Sequence, residues 1–228
     1  MKIITYCNLY ENENYKLLKK TLDDLKIDFI NTHTVGVKWT GFFDRWTYIY
    51  DFLKNIDDDE DIGIIDGTDV FILNDLNKVK LDNGVIFIKK HSYNFLLKNT
   101  CNINAGVFFG KSKDIKKLCL LFIDASENEK KFFMDCDQSY LNFKINFNSC
   151  DLKFEDCNFI YMNSFNNKIN ENIVIYHAIG MSDLHLLKTK QNIKNYLNIN
   201  LDLKFFIKRY FQYILKWFII EMKILLKS

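Results

Sequence analysis

Ile62-Gly63-Ile64-Ile65-Asp66-Gly67-Thr68-Asp69-Val70 is an apolar run that ends in two carboxylates three residues apart. Its β-branched part, Ile62–Ile65, reads as a buried strand, which puts both carboxylates at the strand's C-terminal edge. There they can face one hard cation, because the turn after the strand folds the second back toward the first. Hard divalent ions such as Mg²⁺ or Mn²⁺ take oxygen ligands and leave positions open for phosphates. Gly67, between the two, is expected to supply the tight turn. Turn chemistry alone is the plain alternative for D-x-x-D at a strand end, so the rest of the chain decides.

Similar apolar runs recur on both sides. Residues 3–6, 29–32, 85–88, 107–109, 159–162 and 173–176 read as strands. Helical spacing appears in Tyr15, Leu18, Leu22 and Leu25, and again in Phe42, Trp46, Ile49 and Leu53. Strands that alternate with helices imply crossover connections and a mainly parallel, open α/β sheet that binds ligands at the carboxyl ends of its strands. The acidic run 57–61 reads as a solvated loop before a strand. His33, His91 and His185 read as surface or loop residues.

Composition narrows the class. The 228 residues are 48% apolar and 26% charged, enough for one globular domain and against a disordered or collagen-like chain. There is no proline and there are only 8 glycines, against roughly 11 and 16 at average usage. Each glycine is therefore a candidate for a position that had to be small. Six cysteines without a C-x-x-C pair, and a strand-like Lys2-Ile3-Ile4-Thr5 in place of a signal peptide, suggest reduced thiols and a cytoplasmic setting. The net charge is +2, but residues 201–228 carry about +4, leaving about −2 on the body. A basic tail on an acidic body argues against a nucleic-acid partner.

Four further segments line up behind the carboxylates in chain order. Trp39 lies in the Gly-bracketed Gly36-Val37-Lys38-Trp39-Thr40-Gly41 before a helix, where a large aromatic can stack on a base. Asn104-Ala105-Gly106-Val107-Phe108-Phe109-Gly110 opens a second buried strand with an amide and a closely approachable backbone. Asp135-Cys136-Asp137-Gln138 follows, and His177-Ala178-Ile179-Gly180 ends the strand at 173–176. Asp66-Gly67-Thr68 is also similar to the D-x-D-G-T signature of haloacid-dehalogenase-type phosphatases. The nucleophile position of that signature is Ile64 here, which removes the reading. Neither G-x-G-x-x-G nor G-x-x-x-x-G-K-[ST] occurs.

Together these segments resemble a metal-dependent sugar-nucleotide glycosyltransferase of the GT-A type, over Met1 to Leu186. The nearest likeness is to the glycosyltransferase domain of procollagen lysyl hydroxylases, with a weaker one to glycogenin-like enzymes. The resemblance implies a GT-A (Rossmann-like) α/β fold with an open mixed sheet flanked by helices. It implies Mn²⁺ (or Mg²⁺) held by Asp66, Asp69 and His177, and a UDP-sugar donor. Thr5, Trp39, Arg45, Thr68 and Gly180 would meet the nucleotide, and Asn104, Ala105, Gly106 and Gln138 the donor sugar. Asp137, with Asp135 as understudy, would act near the anomeric carbon, accepting a proton from the acceptor hydroxyl or stabilising an oxocarbenium-like transition state.

Departures from the family pattern stand beside this. Thr68 replaces an aromatic inside D-x-x-D, Cys136 interrupts the acidic run before Gln138, and Arg45 stands where the family has a lysine. Structural alternatives are a helix-entry staple for Trp39, helix capping for Asp135 and Asp137, and a buried structural histidine for His177. A catalytically silent nucleotide- or glycan-binding domain of the same fold is the alternative to the enzyme.

Residues 201–228 form a separate unit behind a domain of residues 1–200. Lys204, Lys208, Gln212 and Lys216 recur every four residues, beside a broad apolar face with Phe205, Phe206, Tyr210, Phe211, Ile214, Leu215, Phe218, Ile219 and Leu226. No apolar run there is long enough to span a bilayer. Such an amphipathic helix suits a membrane interface, which would make the protein peripheral on an inner membrane face. Packing on the body or on a second subunit is the alternative. The acceptor would be a glycan, a lipid-linked sugar or a protein.

Overall fold

The computed structural model describes residues 1–39, 41–91, 102–147, 149–162, 173–177, 215, 218, 219 and 222. Strand β1 (Lys2–Thr5), helix α1 (Glu13–Asp24), strand β2 (Asp28–Asn31), helix α2 (Asp44–Leu53) and strand β3 (Asp61–Ile65) alternate as the apolar spacing requires. The side chain of Asn12 caps α1, accepting from the backbone N–H of Asn14 at 2.9 Å. Next come β4 (Val70–Ile72), β5 (Val85–Ile88), β6 (Lys90–His91), β7 (Asn102–Ile103) and β8 (Val107–Lys111). Helices α3 (Ser112–Ile123), α4 (Glu127–Phe132) and α5 (Asp137–Asn146) lead to β9 (Lys153–Asp156), β10 (Ile160–Met162) and β11 (Ile175–His177).

The described strands form a six-stranded sheet in the order β2-β1-β3-β8-β5-β9, a three-stranded sheet β10-β11-β4, and the pair β6-β7. The large sheet is open and mixed. β1 is parallel to β2 and to β3, and β5 is parallel to β9, while β8 runs against both β3 and β5. The mainly parallel expectation thus needs one correction: β8 runs antiparallel to both of its neighbours, β3 and β5.

Strand alternation sends side chains to two cores, one on each face of the sheet. Ile4, Ile62, Ile64, Ile86, Ile88 and Phe108 pack with Trp46, Ile49 and Leu53 of α2 and with Ile115, Leu118 and Phe122 of α3. Ile3, Ile65, Val107 and Phe109 pack on the other face with Leu18 and Leu22 of α1 and with Val70, Ile72 and Ile175 of the small sheet. Gly63 is small for this reason, since a Cβ there would lie 2.6 Å from Ile3 Cδ1 and 2.9 Å from Phe109 Cζ.

Several boundaries differ from the sequence reading. Phe42 precedes α2 and is exposed, so the buried stripe of that helix is Arg45, Trp46, Ile49 and Leu53. His33 is buried, its ring nitrogen Nδ1 3.1 Å from the Tyr10 hydroxyl. The acidic run is the exposed loop before β3 that the sequence indicated, with surface pairs of Asp58 to Lys116 at 2.7 Å and Asp59 to Lys113 at 3.2 Å, while Asp61 at the start of β3 pairs with Lys111 at 2.5 Å. These pairs link the loop and the start of β3 to the end of β8 and the N-terminal part of α3.

The five described cysteines are free thiols. Of the tail, Leu215, Phe218, Ile219 and Met222 are described, and each is helical and exposed. Among the described residues, no helix is long and apolar enough to cross a membrane. Gly180 and the remainder of the proposed amphipathic helix lie outside the described residues.

Candidate active site

Strand register builds the site. β11 pairs antiparallel with β4, which sets His177 opposite Val70 and therefore beside Asp69. β3 pairs antiparallel with β8 as far as Ile65 and Val107, and the Asp66 N–H continues the ladder to the Gly106 carbonyl at 2.8 Å. Residues separated by more than 100 positions thus meet at the C-terminal edge of β3. One ligand atom from each of Asp66, Asp69 and His177 lies within 4.8 Å of the others. His177 Nε2 is 3.7 Å from Asp66 Oδ2 and 3.6 Å from Asp69 Oδ1, beyond hydrogen-bond length.

His177 is 1% exposed, and neither of its ring nitrogens has a hydrogen-bond partner. A buried imidazole whose nitrogens make no hydrogen bond is costly. The spacing is one that a shared ion with bonds of about 2.1 Å would bridge, so the donor set fits a divalent metal. Burial disfavours the charged ring, but the Asp69 and Asp66 carboxylates outweigh it and hold His177 above the ordinary imidazole pKa. Burial also pushes Asp66 up to about 6, against the lowering effect of Arg45.

Two glycines make room for this cluster by close approach. A Cβ on Gly106 would sit 2.9 Å from His177 Nε2 and closer still to His177 Cε1 and Asp66 Oδ2. Gly67 lies in the turn after β3 as expected, without a positive φ. It is small because a Cβ would lie 2.6 Å from the Cβ of Cys7. The turn it occupies is tied to α1 instead, where the buried Asn14 amide donates to the Thr68 carbonyl at 3.0 Å. Thr5, at the end of β1, is buried with its hydroxyl unpartnered, 3.2 Å from the same Gly67 position.

Arg45 is not a free cation beside the cluster. It is 6% exposed; Nη1 donates to Asp66 Oδ1 at 2.9 Å, and Nη2 donates to Asp137 Oδ2 at 2.6 Å and to the Ala105 carbonyl at 2.7 Å. Burial works against its charge, while Asp137 and Asp66 hold its pKa above the usual arginine value. Asp137 is 3% exposed at the start of α5, its Oδ1 accepting from the Gln138 N–H at 2.7 Å and its Oδ2 also accepting from Trp46 Nε1 at 3.0 Å. Asp135 is exposed in the turn before α5, with φ 53°, and stands outside this network.

The donor-sugar candidates form a scaffold. Gln138 Oε1 accepts from the Asn104 amide and from the Ala105 N–H, each at 3.2 Å, and Asn104 Oδ1 accepts from the Gly106 N–H at 2.8 Å. One turn further along α5, Asn142 accepts from the Ile103 N–H at 2.6 Å and donates to its carbonyl at 3.0 Å. This explains why residues 137–142 are buried all round the helix. Asn142 and Trp46 were not singled out from the sequence. The i, i+4 amide pair Gln138/Asn142 was the available signal, whereas Trp46 looked like an ordinary member of an apolar stripe.

Trp39 is half-buried in an aromatic group at the ends of β1 and β2, its ring 5.0 Å from Tyr6 and 5.7 Å from Phe42. Tyr6 also packs against Tyr48 at 5.1 Å and His33 at 4.9 Å.

No protein-family model and no curated protein sequence matches the chain. Solved structures do resemble it in fold. A glycosyltransferase involved in the glycosylation of the major capsid of PBCV-1 is similar with a TM-score of 0.53 at 10% identity, over 87% of this chain and 98% of that one. The galactosyltransferase LgtC, solved with donor and acceptor sugar analogs, gives a TM-score of 0.51 at 12% identity, over 89% and 98%. The glycosyltransferase GlyE of Streptococcus pneumoniae TIGR4 gives 0.54 at 14% identity, over 93% of this chain and 64% of GlyE. The fold is therefore that of GT-A-type glycosyltransferases, and the narrower likeness to lysyl hydroxylases rests on sequence motifs alone.

Proposed function

We propose that this chain is a metal-dependent glycosyltransferase that moves a hexose from a UDP-sugar to a hydroxyl on a glycan, a lipid-linked sugar or a protein. The observation that carries the reading is the buried His177 imidazole, its nitrogens without hydrogen bonds, clustered with Asp66 and Asp69 at the C-terminal edge of a GT-A-type sheet. Asp66, Asp69 and His177 would hold Mn²⁺ or Mg²⁺, which when bound stabilises the negative charge that accumulates on the diphosphate leaving group. Trp39 stacks on the base, with Thr5, Thr68 and Gly180 along the nucleotide, and Asn104–Gly106 and Gln138 border the donor sugar. Arg45 contributes through Asp66 rather than by touching phosphate.

One observation favours the alternative, a catalytically silent binding domain. The Asp137 carboxylate is buried with both oxygens engaged in hydrogen bonds, and no proton transfer is assigned to it. Thermal-shift titration with UDP, with and without Mn²⁺, tests the site. Metal-dependent stabilisation supports it, and its complete absence contradicts it. Release of UDP from a UDP-sugar then separates enzyme from binder.

The proposal also covers residues 201–228 as an amphipathic helix at an inner membrane surface, behind a catalytic domain of residues 1–200. The exposed apolar set Leu215, Phe218, Ile219 and Met222 has the i, i+3, i+4, i+7 spacing of one helical face. Unchanged liposome flotation after deletion of residues 201–228 would remove this part.

A further inference from the structure

We infer that Asp137 and Trp46 are positioning residues for the ion site, acting through Arg45 to hold the Asp66 carboxylate with one oxygen turned toward His177. This rests on the metal-dependent reading above. Asp66 divides its oxygens: Oδ1 accepts from Arg45 Nη1 at 2.9 Å, while Oδ2 lies on the side of the His177 ring, 3.7 Å from Nε2. With one oxygen held by Arg45, the carboxylate is restrained about its Cβ–Cγ bond, so its other oxygen stays presented to the cluster.

Arg45 needs its own anchors to do this. Its guanidinium is buried among apolar groups and is held from behind by Asp137 Oδ2 and the Ala105 carbonyl. Asp137 is fixed in turn at two points. Its Oδ1 accepts from the Gln138 N–H in the first turn of α5, where the helix dipole favours negative charge, and its Oδ2 takes the indole N–H of Trp46. The indole cannot swing away, because it stacks on Phe122 with centroids 4.3 Å apart and planes 12° from parallel. A continuous series, Trp46–Asp137–Arg45–Asp66, thus runs from α2 through the start of α5 to the end of β3. Partners of this kind, which orient a ligand without touching the ion, change metal affinity by about 10–100-fold when removed.

The test is Mn²⁺ titration of the full chain, followed by the electron paramagnetic resonance signal of free Mn²⁺. Asp137→Asn should weaken binding by about 10–100-fold. Trp46→Phe keeps an aromatic ring at the position but removes the indole N–H together with the pyrrole ring, and should weaken it by about two- to tenfold. Asp51→Asn removes an equal charge from the exposed side of α2, where Asp51 pairs with Lys54, and should leave the dissociation constant unchanged. A purely structural role would lower the melting temperature of the first two variants without moving that constant. Wild-type affinity in folded Trp46→Phe and Asp137→Asn overturns the inference. An unmodified chain that binds no Mn²⁺ overturns both the inference and the reading beneath it, and that outcome is separate because it needs no variant.

Discussion

Gly106→Ala places one methyl group between two proposed ligands. The added Cβ would lie 2.9 Å from His177 Nε2 and closer to His177 Cε1 and Asp66 Oδ2, where ordinary van der Waals contact begins at 3.4 Å. His177 must therefore retreat by at least about 0.5 Å at Nε2, whereas metal sites tolerate ligand displacements of about 0.2 Å. The expected loss of Mn²⁺ affinity is about 100-fold or more, or about 2.7 kcal/mol. Overpacking should also destabilise the fold by about 1–3 kcal/mol, lowering the melting temperature by about 2–12 °C. Gly63→Ala is the matched control. Its Cβ meets Ile3 and Phe109 in the core, so stability should fall by a similar amount while Mn²⁺ affinity stays at the wild-type value. Calorimetry for stability and Mn²⁺ titration for affinity read the two effects separately. Wild-type affinity in Gly106→Ala, or an equal loss in Gly63→Ala, would refute the reasoning.

Arg45→Ala leaves the Asp66 and Asp137 carboxylates without their shared cation and should cost about 3–5 kcal/mol in thermal denaturation; a loss under about 1 kcal/mol would mean that the pairing is not formed in solution. Trp39→Ala removes the stacking partner of the base and should weaken UDP binding by about two- to twelvefold, a contribution of about 0.5–1.5 kcal/mol, with Mn²⁺ affinity unchanged; equal UDP affinity by calorimetry would reassign Trp39 to packing. The pH dependence has a fixed sign. Asp66, raised to about 6, and His177, raised above 6.5, both bind protons more tightly in the folded protein. Their stabilising contribution to the metal-free fold is complete below their ordinary values and is lost as pH rises through the folded ones. Protons compete with the ion, so the gain in melting temperature on adding Mn²⁺ should grow between about pH 5 and pH 8, and a gain that shrinks over that interval would contradict the ligand set.

Much of the sheet was legible because its central strands are short β-branched runs bounded by polar turns, as Ile62–Ile65 and Val85–Ile88 show. β9 was not, because three of its four residues, Lys153, Glu155 and Asp156, are charged, as suits the edge of a sheet. β4 was hidden for the opposite reason: Val70–Ile72 is only three residues long and merges with the motif before it. Asp66, Asp69 and His177 could be grouped only through the resemblance, since the β4–β11 register that joins them is a long-range pairing without local signal. The ties of Arg45 to Asp66 and Asp137 were likewise invisible, because residues 21 and 92 positions apart carry no periodicity that links them.

Release of UDP from a panel of UDP-sugars, measured with Mn²⁺ present, bears most directly on the central claim. Turnover of at least one donor is expected, abolished by chelation and by Asp69→Ala. No release from any donor, together with UDP binding that is indifferent to Mn²⁺ and to Asp69→Ala, would contradict the account.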